Sequence, residues 1–136
     1  MKKFTFTSTL ILGFLLFSSF TKVIPDTRLV DYLGQEKLAI LQKNDPDIIV
    51  YYNYFLDNSY IIQTLPADKL KGGNYKTLNL PLSAGQVDRK KLNVLKLDIQ
   101  RKYDQRVYYK IAGSQEVLIF LSEKEFMKKY NAYRKQ

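Results

Sequence analysis

The side chains that could do chemistry in this chain are mainly carboxylates, because the sequence contains no histidine and no cysteine. These absences remove the usual general base, thiol nucleophiles and ordinary zinc or iron–sulfur sites. A glycosidase needs two carboxylates about 5–9 Å apart. Asp45, Asp47, Glu123 and Glu125 stand at predicted helix starts, and Asp57 is the least explained acid. We therefore predict that the protein is not an enzyme and binds no metal or cofactor, with a small glycan-acting enzyme as the third alternative.

A basic run between positions 89 and 110 has a functional interpretation. It predicts a surface patch for an anionic glycan or envelope polymer. The alternative is an ordinary solvated face, because Asp98 and Asp104 interrupt the run. The candidate anion patch consists of Arg89, Lys90, Lys91, Arg101, Lys102 and Arg106.

A tyrosine-rich segment between positions 51 and 60 is the second such feature. Tyrosine is both apolar and hydrogen-bonding, and it is enriched at protein contacts. Core packing is the alternative, but one helix face cannot bury several successive large side chains. The candidate partner contacts are therefore Tyr51, Tyr52, Tyr54 and Tyr60.

Helix signals occur at both ends of the chain. A helix is predicted from about residue 27 to 44, with Gly34 in its middle. A second is predicted from Pro46 to about Asp57, although the Ile, Val and Tyr content of this segment also suits a strand. A capping box formed by Ser122 and Glu125 predicts a C-terminal helix.

Strand signals occupy the region between these helices. Strands are predicted over 60–65, 75–80, 93–100, 106–111 and 116–121, with a hairpin turn at Gly72 and Gly73. The sequence therefore predicts an α+β fold in a single domain of residues 22–136. Two N-terminal helices and one C-terminal helix cover an antiparallel sheet of four to five strands that ends in a meander.

The first 21 residues have the pattern of a cleavable signal peptide. Lys2 and Lys3 precede an apolar run over 10–17, and small polar residues follow it. An uncleaved anchor is the alternative, although the run is shorter than the ~20 residues of a membrane span. Without cysteine the protein is not a lipoprotein. We therefore predict an exported protein, periplasmic or secreted, that is not itself a membrane span.

The charge balance points to the kind of partner. Two of the 22 basic residues lie in the signal, so the remaining 20 and the 13 acidic residues leave a net charge of +7. A basic exported protein meets polyanionic envelope polymers and acidic protein surfaces, and it is not placed to meet nucleic acid.

The chain as a whole resembles small exported proteins of Bacteroidota. The likeness lies in the Lys-Lys start, the absence of cysteine, and the stretches Tyr51-Tyr52-Asn53-Tyr54 and Tyr130-Asn131-Ala132-Tyr133. It is compositional and matches no motif. Within that group the chain looks like the plug subunit that closes the periplasmic mouth of the type IX secretion translocon. The resemblance implies a non-enzymatic accessory protein that contacts an envelope protein such as an outer-membrane translocon, and it assigns no site residue.

Overall fold

The structure, a computed structural model, describes residues 22–136. The predicted signal peptide therefore lies outside the described residues. The fold is α+β, as the sequence predicts. In chain order the elements are α1 (Thr27–Leu33), α2 (Gln35–Asn44), α3 (Pro46–Asn58), β1 (Tyr60–Thr64), α4 (Ala67–Gly72), β2 (Lys76–Leu78), β3 (Leu82–Ser83), β4 (Gln86–Val87), a 3-10 turn (Val94–Lys96), β5 (Val107–Ile111), β6 (Glu116–Phe120) and α5 (Glu123–Arg134).

The first predicted helix is two helices, because Gly34 separates α1 from α2. Gly34 has φ +84° and ψ 157°, a conformation that favours glycine. Its N–H donates to the carbonyl of Val30 at 2.8 Å and so closes α1. The chain then turns sharply, and three N-terminal helices stand where two were predicted.

The segment that begins at Pro46 is a helix, as predicted, in spite of its strand-like composition. Pro46 occupies the first turn, and Asp47 lies at the positive end of the helix dipole. Ile49, Phe55 and Leu56 are buried along one side of α3. Their burial in the core outweighs the β propensity of the individual residues.

The main sheet has the strand order β1-β6-β5-β2. β6 pairs antiparallel with β1 and with β5, whereas β2 pairs parallel with β5 through Lys76 and Tyr109. The sheet is thus mixed, and the prediction of a wholly antiparallel sheet was wrong on this point. Gly72 and Gly73 form no hairpin turn; they end α4 and lead into β2.

The predicted strand over 93–100 was also wrong, since this segment is a 3-10 turn followed by irregular chain. The Asn93 side chain accepts from the Leu95 N–H at 3.2 Å and donates to the Arg28 carbonyl at 2.8 Å. Leu97 and Ile99 do pack against the core. The alternation of apolar and polar residues in this segment therefore reflects burial of one side, and the segment pairs with no strand within residues 22–136.

The core lies between the helices and one face of the sheet. Fully buried side chains include Leu29 and Leu56 from the helices and Leu118 and Phe120 from β6. The opposite face of the sheet has a smaller cluster formed by Leu70 of α4 with Val117 and Ile119. The helices therefore cover most of one face of the sheet, and α4 covers a smaller part of the other.

The predicted capping box of α5 is confirmed. The Ser122 hydroxyl accepts from the Glu125 N–H, and the Glu125 carboxylate accepts from the Ser122 N–H, both at 3.2 Å. Both contacts satisfy N–H groups that the helix itself leaves without partners.

Replacing Ser122 with alanine is expected to destabilise the protein by about 1 kcal/mol, because one of these N–H groups loses its acceptor. The midpoint of a urea unfolding curve measures this loss. Ser83→Ala, at an exposed strand position, is the control and should leave the midpoint unchanged. Equal midpoints for the two variants would contradict the cap.

Candidate partner-binding surfaces

Aromatic side chains of α3 and α5 form one packed layer between the two helices. Their spacing of three and four residues places them on facing sides of each helix. The Tyr54 and Tyr133 rings stack at 4.5 Å between centroids, and Tyr51 meets Tyr130 edge-on at 5.2 Å. We call this layer the tyrosine cluster; it consists of Tyr51, Tyr54, Phe55, Phe126, Tyr130 and Tyr133.

The structure places the predicted partner contacts mostly inside the protein. Tyr60 is 7% exposed and packs near Phe120 in the core. Tyr51, Tyr52 and Tyr54 are half-buried and pack against the core. The most exposed ring of the cluster is Tyr133, at 45%, which the sequence analysis did not select.

Arg101 inserts its guanidinium into the same layer. Its central carbon lies 4.9 Å from the Phe55 ring centre and 5.2 Å from that of Phe126. Its Nε and one terminal nitrogen are buried and have no hydrogen-bond partner among the described residues. Contact with the negative ring faces offsets part of the lost hydration. Arg101 therefore acts as an anchor for the loop that follows it.

That loop is also fixed to the start of α5. The Glu123 N–H donates to the Lys102 carbonyl at 3.0 Å, and the Lys124 N–H donates to the Tyr103 carbonyl at 2.9 Å. The Arg106 guanidinium donates to the Glu125 carboxylate at 3.0 and 2.7 Å. These contacts hold Tyr103 beside the first turn of α5.

The hydrogen bond from Arg106 lowers the pKa of Glu125 to about 2 from its ordinary value of 4.5. A lowered pKa in the folded state means that the unfolded state binds a proton first as the pH falls. The contribution of Glu125 to stability is therefore complete above about pH 4.5 and decreases toward pH 2.

Glu125→Gln is accordingly expected to flatten the dependence of unfolding free energy on pH between about 4.5 and 2. Urea unfolding at several pH values measures this slope. Glu123→Gln is the matched control variant, because Glu123 is exposed in the same helical turn and forms no ion pair within residues 22–136. Identical slopes for all three proteins would contradict the ion pair.

The predicted anion patch is divided among different environments. Arg89 and Lys90 line one shallow cleft beside Arg28 and Asp57. There Arg28 donates to Asp57 at 2.9 Å, which gives the least explained acid of the sequence an ion-pair role. The Arg101 guanidinium packs against the Phe55 and Phe126 rings, Arg106 is neutralised by Glu125, and Lys91 and Lys102 are exposed.

A different set of cations shares a groove on the outer face of α5. The groove has a volume of about 620 Å³. Tyr103 is 67% exposed there and Met127 40%. The lining consists chiefly of Tyr103, Lys124, Met127, Lys128, Asn131 and Lys135, and we call it the basic groove.

The lysines of the basic groove carry unneutralised charge. Within residues 22–136 no ion pair includes Lys124, Lys128 or Lys135. Lys124 and Lys128 are four residues apart on α5 and so share one side of the helix, and Lys135 is the residue that caps its C-terminal end. The spacing of these lysines is visible in the sequence, but the sequence analysis selected the aromatic residues as the candidate contacts instead.

The described residues contain no cluster of three or more acidic side chains that could hold a metal ion. No helix among them is long and apolar enough to cross a bilayer. No family model, curated protein or solved structure matches this chain. The functional argument therefore rests on the surfaces themselves.

Proposed function

We propose that the protein is a non-enzymatic, exported binding protein that contacts an acidic surface of a protein partner in the cell envelope. One observation carries the proposal. The basic groove holds two exposed apolar side chains, Tyr103 and Met127, among three lysines that form no ion pair with any described residue.

The composition of the groove suits a protein partner. Tyrosine and methionine are enriched at the centres of protein interfaces, where charged residues are depleted. Lysines at the rim steer an acidic partner and raise the association rate. The net charge of +7 over residues 22–136 acts in the same direction.

The tyrosine cluster has a supporting role in this proposal. Tyr51 and Tyr54 hold α5 against α3, and Arg101 and Arg106 hold the loop that carries Tyr103. We therefore place the partner contact on the outer face of α5 rather than on the segment of residues 51–60.

The signal-peptide pattern supports an envelope location for the partner, because it supports export to the periplasm. The resemblance to exported Bacteroidota proteins makes an outer-membrane secretion machine of the type IX kind the first envelope assembly to test.

Reversing two groove charges tests the proposal. Lys124→Glu with Lys128→Glu is expected to reduce the partner co-purified from the native envelope by about tenfold or more, because attraction becomes repulsion. The control, Lys37→Glu with Lys43→Glu on α2, makes the same change of net charge at exposed positions and should retain the partner. Equal retention by both variants would contradict the proposal.

A linear polyanion is the second candidate, because the lysines of the groove form a row along one helix. Purified lipopolysaccharide is the probe. If it binds the wild type, fails to bind the groove variant, and no protein co-purifies with the wild type at low salt, the envelope-polymer function replaces the protein partner. Exposed charge pairs weaken as salt rises in both cases, so salt dependence alone does not separate them.

A further inference from the structure

The two edges of the main sheet differ in how they are protected. β2 forms one edge, is three residues long and begins with Lys76. Short strands and lysines are devices that prevent unwanted pairing at an edge. β1 forms the other edge, is five residues long and contains neither a charged residue nor a proline.

None of the residues from 22 to 136 pairs with the outer side of the β1 backbone. The carbonyl of Ser59 accepts from Leu121 at 2.9 Å, and the N–H of Leu65 donates to Gln115 at 3.0 Å. The backbone N–H and C=O groups of Ser59 and Leu65 thus point toward β6. Those of Ile61 and Gln63 point the same way, because the direction of these groups alternates along a strand. The N–H and C=O groups of Ile62 and Thr64 point to the other side, where the described residues supply no backbone partner.

The side chains of β1 extend an apolar row across the sheet. Ile61 is opposite Ile119, and Ile119 is opposite Tyr108 on the next strand. Ile119 is buried, whereas Ile61 is 38% exposed at the end of the row. An apolar side chain on an added strand would lie beside Ile61 and continue the row.

We propose that an extended segment of the partner protein adds to β1 as a fifth strand of the sheet. The free N–H and C=O groups of Ile62 and Thr64 pair with the backbone of that segment. Its residues opposite β1 are uncharged, with an apolar or β-branched residue next to Ile61. This inference rests on the proposed function as a protein-binding protein and adds a second point of attachment.

The occupant is a partner segment rather than a second copy of this chain. Two copies that pair through β1 would each bring a net charge of +7 to one dimer. Self-repulsion of that size opposes the association. A neutral or acidic partner segment meets no such opposition.

A displayed library of random heptapeptides is the probe. Selection on the immobilised protein is expected to yield peptides with β-branched or aromatic residues at alternate positions. Adding such a peptide should slow hydrogen exchange at the amides of Ile62 and Thr64 by about tenfold or more, because these amides gain acceptors.

Two proline variants test the contact directly. Ile62→Pro and Thr64→Pro each remove one outward N–H and leave the ladder with β6 intact, a position at which an edge strand tolerates proline. Each should weaken peptide binding about tenfold. Gln63→Ala keeps every backbone group and should bind as the wild type does. Thr64 is exposed, so Thr64→Pro decides the matter if Ile62→Pro fails to fold.

Three outcomes would overturn the inference: no peptide is selected, binding survives Thr64→Pro, or protection appears away from β1. Concentration-dependent protection of Ile62 and Thr64 without peptide, together with a doubled mass, would assign the edge to a second copy instead. The variant with Lys124→Glu and Lys128→Glu should still bind the peptide. If only the groove variant loses the partner, the result tests the proposed function of the groove. If only the proline variants lose it, the result tests strand addition at β1.

Discussion

Phe126→Ala is expected to lower the free energy of unfolding by about 3–5 kcal/mol. Phe126 is fully buried, and its ring lies 5.2 Å from that of Phe55 and 5.5 Å from that of Tyr51. Truncation removes these contacts and leaves a cavity between α3 and α5. Urea unfolding measures the loss as a lower midpoint, and the slope of unfolding free energy against urea concentration should stay unchanged.

Phe126→Leu is the control, because it keeps most of the buried volume and should cost less than about 1.5 kcal/mol. A small effect of the alanine variant would show that the cluster does not hold α5. In that case the position of the basic groove would also lose its structural basis.

Arg101→Glu is expected to destabilise the protein by about 3 kcal/mol. The substitution leaves an unpaired carboxylate against the negative faces of Phe55 and Phe126. Lys102→Glu changes the same charge one residue later at an exposed position, and its effect should stay within about 0.5 kcal/mol. Thermal unfolding of the two variants under one set of conditions measures the difference.

Arg101→Met separates the charge from the packing. It keeps much of the side-chain stem and removes the buried donors that lack partners, so it should cost less than about 1.5 kcal/mol. If Arg101→Glu and Lys102→Glu behave alike, the guanidinium does not pack against the Phe55 and Phe126 rings in solution.

Elements with strong local signals could be predicted from the sequence. Pro46 and Asp47 mark the start of α3, and Ser122 with Glu125 marks the start of α5. The predicted strands over 60–65, 106–111 and 116–121 match β1, β5 and β6 to within a residue at each end. In each of these cases the residues that determine the element lie within it or next to it.

The parts that could not be predicted depend on distant residues. β2 pairs with β5 about 30 positions later, and nothing in β2 specifies a parallel partner. The segment over 93–100 alternates as a strand does, but Asn93 caps a 3-10 turn and bonds to Arg28. Burial on one side produces the same pattern in irregular chain as in a strand.

The candidate surface also depends on residues that are distant in the sequence. The sequence selected Tyr51 and Tyr54 as partner contacts, but both rings pack against aromatic rings of α5. The sequence suggested one anion patch, whereas the fold uses two of its members, Arg101 and Arg106, as anchors for a loop. Lys124 and Lys128 of the basic groove lie on α5, where aromatic residues dominate the sequence pattern.

Site-specific photocrosslinking tests the central claim most directly, namely that the basic groove contacts an envelope protein. A photoreactive phenylalanine analogue replaces Met127 in the protein expressed in its native cells, and in a control it replaces the exposed Ile40 of α2. We predict one discrete crosslinked protein from position 127, none from position 40, and loss of the product when Lys124→Glu and Lys128→Glu are added. A product from position 40 alone, or one from position 127 that survives the charge reversal, would contradict the account.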